Sequence, residues 1–246
     1  EQLILILFVY IIVGFLIALP IFMSNLETTF LGAFFESVSG LTGTGFSIFK
    51  NIKYLDPTVI LWRSSSQWIG GLYFLFFLIL IFSNKTFNFK MTHLTFSGDS
   101  NFKSEEKIKG NILKILIFYS ILSVIILSLL NISGIRLFNS LNLTMTLVSG
   151  GGFLPSNNLN EIISTNLQKI ILIISLILSM LNFYLIFNFF RKTILIKEHK
   201  EDFYIVALSL MLILFIFFNS FDGTNIIINV LSSMANSGVT LVKSDS

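Results

Sequence analysis

The chain has 246 residues and no cysteine, which excludes disulfides, thiolate metal sites and a cysteine nucleophile. Its two histidines, His93 and His199, are too few for a dedicated histidine metal cluster. Charge is scarce: 16 Lys and Arg with 13 Asp and Glu make up only 12% of residues, against 54% hydrophobic residues that include 28 phenylalanines. That is too little charge to clothe a water-soluble surface, so lipid must cover much of the apolar area. With a mean hydropathy of +0.86 the chain reads as an all-α integral membrane protein, and a soluble enzyme is largely excluded. The net charge of +3 fits a surplus of Lys and Arg on cytoplasmic loops. No basic and aromatic pattern suited to nucleic acid accompanies it.

What is present in quantity is long apolar runs. A bilayer core of about 30 Å needs about 20 mostly apolar helical residues. Five stretches approach or meet that: 3–22, 59–82, 112–130, 170–190 and 203–219. The first lacks the basic start and small-residue cleavage site of a signal peptide, and with Glu1 in place of a methionine it reads as the start of a fragment. Lys85, Lys90, Lys103, Lys107, Lys109 and Lys114 cluster in 84–114, and Arg191, Lys192, Lys197 and Lys200 in 191–202. The positive-inside rule places both segments in the cytoplasm, and 23–58, 131–169 and 220–246 outside.

Each outer segment begins with an apolar helix too short to cross and ends in small residues. The first, from Leu26 to Gly40, reaches about two thirds of the hydrocarbon thickness at about 1.5 Å per residue, so it must dip in and return. Ser24-Asn25-Leu26-Glu27 has capping-box chemistry, and Ser133 and Asp222 are candidate N-caps of the second and third. A helix lying flat on the surface is disfavoured because Phe34, Phe35, Val38 and Leu41 leave no strongly polar face.

The order span, half-helix, small-residue turn, span occurs twice and begins a third time. Placing Gly45, Gly152 and Gly238 in register gives separations of 107 and 86 residues. Thr42-Gly43-Thr44-Gly45-Phe46 then faces Ser149-Gly150-Gly151-Gly152-Phe153 and Ala235-Asn236-Ser237-Gly238-Val239, with Ser39, Thr146 and Ser232 one turn upstream. A cation leaving water needs replacement oxygens, and successive carbonyls can face an axis only if some residues take positive φ, which glycine permits. Thr and Ser add hydroxyl oxygens, and the half-helix C-terminus adds partial negative charge. Irregular backbone at membrane depth is tolerated where it lines water or is buried in protein. For any one turn, a simple glycine helix cap explains the residues equally well; three aligned copies point to an ion filter.

These motifs carry a resemblance. Trp62-Arg63-Ser64-Ser65-Ser66-Gln67-Trp68-Ile69-Gly70-Gly71 is similar to the WRSxxQWxGG that follows the first filter in the Trk/Ktr/HKT superfamily of potassium transporters. Phe35 to Phe46 resembles that family's first pore helix and filter, and Leu181-Asn182-Phe183 falls where its second repeat carries an NF pair. The likeness is greatest to the bacterial TrkH-type pore subunit, and it implies potassium translocation through a channel-like pore of four span, pore-helix, span repeats. About two and a half are present: 1–110, 111–202, and an incomplete third, 203–246, that ends just after its filter. The resemblance implies potassium held by backbone carbonyls of the filter residues, namely Thr42 to Phe46, Ser149 to Phe153, and Asn236, Ser237, Gly238 and Val239. Asn236 to Val239 lacks the family's Thr-rich run, so sodium permeation or a nonconducting paralogue is the alternative, while Gly45 favours potassium.

Taken singly, Arg63 reads as a guanidinium at the outer end of a span, free to snorkel or to bond the carbonyls of the first half-helix, with Glu36 in that helix as a candidate partner, and both read as scaffold. Trp62 and Trp68 read as interfacial anchors. Glu36 is the one carboxylate well inside a half-helix, and no histidine at membrane depth could serve it as a base, so an intramembrane enzyme is disfavoured. No GxxxxGK[ST] or GxGxxG occurs, so the chain itself needs no nucleotide cofactor. Expected partners are membrane lipid around the basic loops 84–110 and 191–202. The resemblance adds a second copy of the subunit and a cytosolic, TrkA-like nucleotide-binding regulatory subunit, in a bacterial inner membrane with filters opening outward.

Overall fold

The computed structural model describes residues 2–24, 28–82, 105–180, 207–208, 211 and 223–241. Its main helices are α1 (Gln2–Met23), α2 (Phe30–Leu41), α3 (Pro57–Phe82), α4 (Glu105–Ile132), α5 (Leu137–Ser149), α6 (Asn166–Met180) and α7 (Gly223–Met234). Single 3₁₀ turns at Ile52–Tyr54 and Leu159–Glu161 complete the described elements, and no strand occurs among the described residues.

Long apolar runs become helices because hydrocarbon offers the backbone no hydrogen-bond partners, and only a helix satisfies every N–H and C=O within one segment. Helices α1, α3 and α4 have 22, 26 and 28 residues, enough at about 1.5 Å per residue to cross a bilayer core of about 30 Å. Of the window Ile115–Ile132 in α4 only 28% is buried, and α1 turns Ile4, Phe8, Ile11, Ile12 and Leu16 outward. These are the faces that lipid covers. The expected span at 170–190 begins earlier, at Asn166, and is described to Met180; nearly all of 203–219 lies outside the described residues.

Helices α2, α5 and α7 have 12, 13 and 12 residues, about 18–20 Å, and are too short to cross. Each packs beside longer helices: α2 against α1 and α3, α5 against α3, α4 and α6, and α7 against α6. Lipid tails are as apolar as leucine, so the association of these helices depends on close fit and on interhelical hydrogen bonds. Between α1 and α2, Ala18 and Ala33 are fully buried, the Ser37 hydroxyl donates to the Gly14 carbonyl at 2.7 Å, and Phe30 packs its ring against Phe15 and Phe22. The larger core joins α4, α5, α6 and α7 through Ile126, Leu130, Leu143, Leu147, Leu172, Leu176, Ile228 and Leu231, all without solvent exposure.

Two details of the helix starts differ from the sequence reading. Helix α2 starts at Phe30 with Thr29 as its cap, the Thr29 hydroxyl accepting the Gly32 N–H at 3.2 Å; Asn25, Leu26 and Glu27 of the expected box lie outside the described residues. Ser133 closes α4, donating to the Leu130 carbonyl at 2.6 Å, and the residue capping α5 is Arg136. Asp222 lies outside the described residues.

Candidate functional site

The three short helices end in the same way. Two residues before the aligned glycine the chain turns left-handed in every unit, at Gly43 (φ +67), Gly150 (φ +67) and Asn236 (φ +52). Glycine adopts this conformation without a Cβ penalty, and asparagine is among the few other residues that visit it. The next N–H then folds back on the helix: Thr44 donates to the Ser39 carbonyl at 3.0 Å, Gly151 to Thr146 at 2.9 Å and Ser237 to Ser232 at 3.0 Å. Carbonyls that a helix end would otherwise leave unpaired are thereby satisfied. The upstream hydroxyls add a second tie in two units, Ser39 Oγ donating to the Phe46 carbonyl at 2.7 Å and Thr146 Oγ1 to the Phe153 carbonyl at 2.6 Å. In the third, Ser232 pairs with the Ser237 hydroxyl at 3.0 Å instead.

Gly45, Gly152 and Gly238, 193 residues apart from first to last, meet at one point. A Cβ on Gly45 would fall 2.6 Å from both the Cα and N of Gly152, and one on Gly238 would fall 3.2 Å from Gly152 Cα. Any side chain at Gly45 would therefore collide with backbone, which cannot swing aside. Around this point the turns follow one another: Gly43 stands beside the Ser149 and Gly150 carbonyl oxygens, and Gly150 beside those of Ala235 and Asn236. In the first turn the Thr42 hydroxyl donates to the Val38 carbonyl at 2.8 Å and lies 2.6 Å from the Thr44 hydroxyl, which places two side-chain oxygens together on an exposed edge.

Helix α3 holds the turns from behind. Arg63, 1% exposed, donates from Nε to Glu36 Oε1 at 2.7 Å and from Nη2 to Ser47 Oγ at 3.0 Å. Glu36, fully buried, also accepts the Ser47 hydroxyl at 2.9 Å and the Ile48 N–H at 2.8 Å. The expected pairing of Arg63 with Glu36 is present, but the guanidinium does not snorkel; it is folded inward and lies 4.2 Å from the centre of the Phe153 ring. One turn further along α3, Gln67 Oε1 accepts the Phe153 N–H at 3.3 Å and lies 3.1 Å from the Thr146 hydroxyl, whose proton is shared with the Phe153 carbonyl. Gly70 and Gly71 let α3 lie close to both short helices: a Cβ on Gly70 would strike the Leu41 backbone, and one on Gly71 would come within 2.9 Å of Ser149 Cβ. Trp62 and Trp68 act as interhelical ties, donating to the Ile17 carbonyl at 3.1 Å and to Ser123 Oγ at 2.9 Å.

The residues that sequence reasoning missed are Gln67, as a direct support of the second turn, and Asn229. Asn229 Oδ1 accepts the Leu241 N–H at 2.8 Å while its Nδ2 donates to the Leu241 carbonyl at 3.1 Å. The signal for Asn229 was in the register, since Glu36 and Asn229 both stand nine residues before the aligned glycine. The expected NF pair at Asn182 and Phe183, both histidines and the basic stretches 84–104 and 191–202, expected to face the cytoplasm, lie outside the described residues.

Comparison with known proteins yields no matching family profile. An uncharacterised cation transporter of Methanocaldococcus jannaschii is 30% identical over 152 residues, covering 60% of this chain and 31% of that protein. The Trk system potassium uptake protein TrkG of Escherichia coli is 26% identical over 226 residues, covering 87% of this chain and 45% of TrkG. The crystal structure of the potassium transporter TrkH from Vibrio parahaemolyticus superposes with a TM-score of 0.72 at 20% identity, over 97% of this chain and 51% of that one. The chain thus spans about half or less of the proteins it matches. The likeness to the Trk/Ktr/HKT superfamily read from the motifs is borne out in sequence by TrkG and in fold by TrkH.

Proposed function

Starting from a segment of a Trk/TrkH-type membrane protein, we propose that the chain forms part of a potassium-translocating pore and performs no covalent chemistry. The observation that carries this is the meeting of Gly45, Gly152 and Gly238 at the ends of three short helices with the same fold-back hydrogen bond. In this reading α2, α5 and α7 are re-entrant pore helices, and 42–46, 149–153 and 236–239 are filters. Potassium exchanges its water for their carbonyl oxygens and for the Thr42 and Thr44 hydroxyls. The helix C-termini favour a cation without any formal charge, so the ion is held weakly enough to move on. In this reading the filters open outward, and the basic loops face the cytoplasm.

Three turns close on one another, so an open axis needs a fourth. Phe153 is 2% exposed and lies against Arg63 of the preceding unit, and Val239 is fully buried, whereas Phe46 at the same register position is 69% exposed. The fourth unit belongs against Phe46. A second copy of the subunit and a cytosolic nucleotide-binding regulator are the further partners this reading implies.

The test is rubidium uptake and potassium-limited growth of a bacterium lacking its own potassium uptake systems, expressing the full-length parent or its Gly45→Ser variant, each with the cognate regulator. The parent restores growth; the variant, whose side chain meets Gly152 backbone at a φ of +77, loses uptake or admits sodium. A parent that inserts but carries no rubidium overturns the reading and leaves a nonconducting paralogue. Unchanged uptake in the variant overturns the filter assignment.

A further inference from the structure

A peptide group is planar and trans, so its N–H and C=O point in opposite directions. Whatever fixes the N–H of Phe153 therefore also aims the carbonyl of Gly152, the central glycine of the three. That N–H is donated at 3.3 Å to Oε1 of Gln67, an acceptor side chain fully buried on α3, 86 positions away in sequence. The amide orientation is assigned from the Phe153 N–H, a donor that needs an acceptor opposite it. Turned over, Gln67 would present its own N–H groups to the Phe153 N–H, leaving two donors facing each other. In the orientation present, Nε2 is the side without a hydrogen-bond partner among the described residues. The second turn also makes room for this amide: a Cβ on Gly151 would lie 2.5 Å from both Gln67 Nε2 and Oε1. The Thr146 hydroxyl donates to the Phe153 carbonyl at 2.6 Å and stands 3.1 Å from the same Gln67 oxygen, so Gln67, Thr146 and Phe153 form one closed cluster.

Resting on the pore reading above, we propose that Gln67 is a positioning residue for ion selectivity. It holds the Gly152–Phe153 peptide so that the Gly152 carbonyl faces away from α3, toward the side where Gly45 and Gly238 stand. It touches no ion. Its effect is on the orientation of one ligand oxygen, and a carbonyl free to tilt discriminates less well between a larger and a smaller monovalent cation.

The experiment measures rubidium and radioactive sodium uptake side by side in cells making the full-length protein. Gln67→Met removes the acceptor at similar volume, Gln67→Glu keeps an acceptor oxygen, and Gly151→Ala leaves Gln67 in place but pushes its amide off the peptide. A merely structural role would lower both fluxes together; a positioning role changes their ratio. Gln67→Met and Gly151→Ala lower the rubidium-to-sodium ratio by about two- to tenfold, the range one buried hydrogen bond supports, and Gln67→Glu retains the parent's ratio. If Gln67→Met does not insert, Gly151→Ala decides alone. A parent selective for rubidium whose Gly151→Ala variant keeps the same ratio overturns the role of Gln67 and leaves the pore reading standing. A parent without rubidium uptake overturns both.

Discussion

The first and second helix–turn units make the same backbone turn and support it by opposite means. In the first, the segment leaving the turn is held by buried charge: Glu36 takes the Ile48 N–H, and Arg63 neutralises Glu36. In the second, Leu143 stands at the position of Glu36, nine residues before the glycine, and Pro155 at that of Ile48, three residues after it. Proline has no N–H, so the second unit removes the donor and the acceptor together and puts the fully buried Leu143 in the place of Glu36. The third unit shows an intermediate answer, with neutral Asn229 accepting the Leu241 N–H. A buried donor must be matched or deleted, and the three units show three ways to do so. The ionic answer adds a link that the apolar one lacks, because Arg63 also lies on Phe153 and so joins the first turn to the second.

The comparison breaks most violently at Glu36. Glu36→Gln leaves Arg63 buried beside no counter-charge and is expected to cost about 3–5 kcal/mol. The measurement is the fraction of detergent-solubilised protein that stays monodisperse through a heating series. Giving the first unit the second unit's solution, with Glu36→Leu, Arg63→Met and Ile48→Pro together, should recover more than half of that loss, since an apolar replacement of a buried pair is often near neutral. A triple variant no better than the single one would mean that the two solutions are not interchangeable.

A smaller break runs the other way. Pro155→Ala gives the second unit an N–H that nothing accepts, at a buried position, and should cost about 1–3 kcal/mol in the same heating assay. Adding Leu143→Asn rebuilds the arrangement of Asn229 and Leu241 and should restore part of it. If Pro155→Ala is silent, the proline is not there to delete a donor.

The same contrast marks what could be read from sequence. The helices over 3–22, 59–82 and 112–130, the short helices and the glycine register were legible because apolar runs and aligned small residues are local signals. The surroundings of Arg63 were not: read locally it is an arginine near a membrane surface, and its burial depends on Glu36, 27 residues earlier, and on Phe153 from another unit. Gln67 was visible only as part of a motif, because its partner lies 86 residues away. The expected capping box at Ser24 to Glu27 had the right residue types, yet α2 starts at Thr29, since a cap works only where the chain actually enters the helix. Extending the register alignment from the turns to whole units pairs Glu36 with Ile48, Leu143 with Pro155 and Asn229 with Leu241, and would have found the pattern.

The weakest contrast lies where the chain returns from each turn into the next long helix. At α3 the cap is ionisable: Asp56 Oδ1 accepts the Thr58 hydroxyl at 2.6 Å and the Thr58 N–H at 2.8 Å, and these bonds hold the Asp56 carboxyl below its ordinary range. At α6 the cap is a neutral box, Gln168 Oε1 accepting the Thr165 N–H at 3.2 Å while Thr165 Oγ1 accepts the Gln168 N–H at 3.3 Å. A carboxyl lowered on folding stabilises fully above its unfolded pKa of about 3.9 and loses that contribution as pH falls through the lower folded value. The start of α3 should therefore open in acid while the start of α6 does not. Hydrogen exchange of the Thr58 and Val59 amides, taken relative to Gln168 and Lys169 at the same pH, should rise below about pH 4 in the parent. In Asp56→Asn, which caps without ionising, the ratio should stay flat. A ratio that is flat in the parent as well would show that the two helix starts, although built from different chemistry, are held by their tertiary packing rather than by their caps.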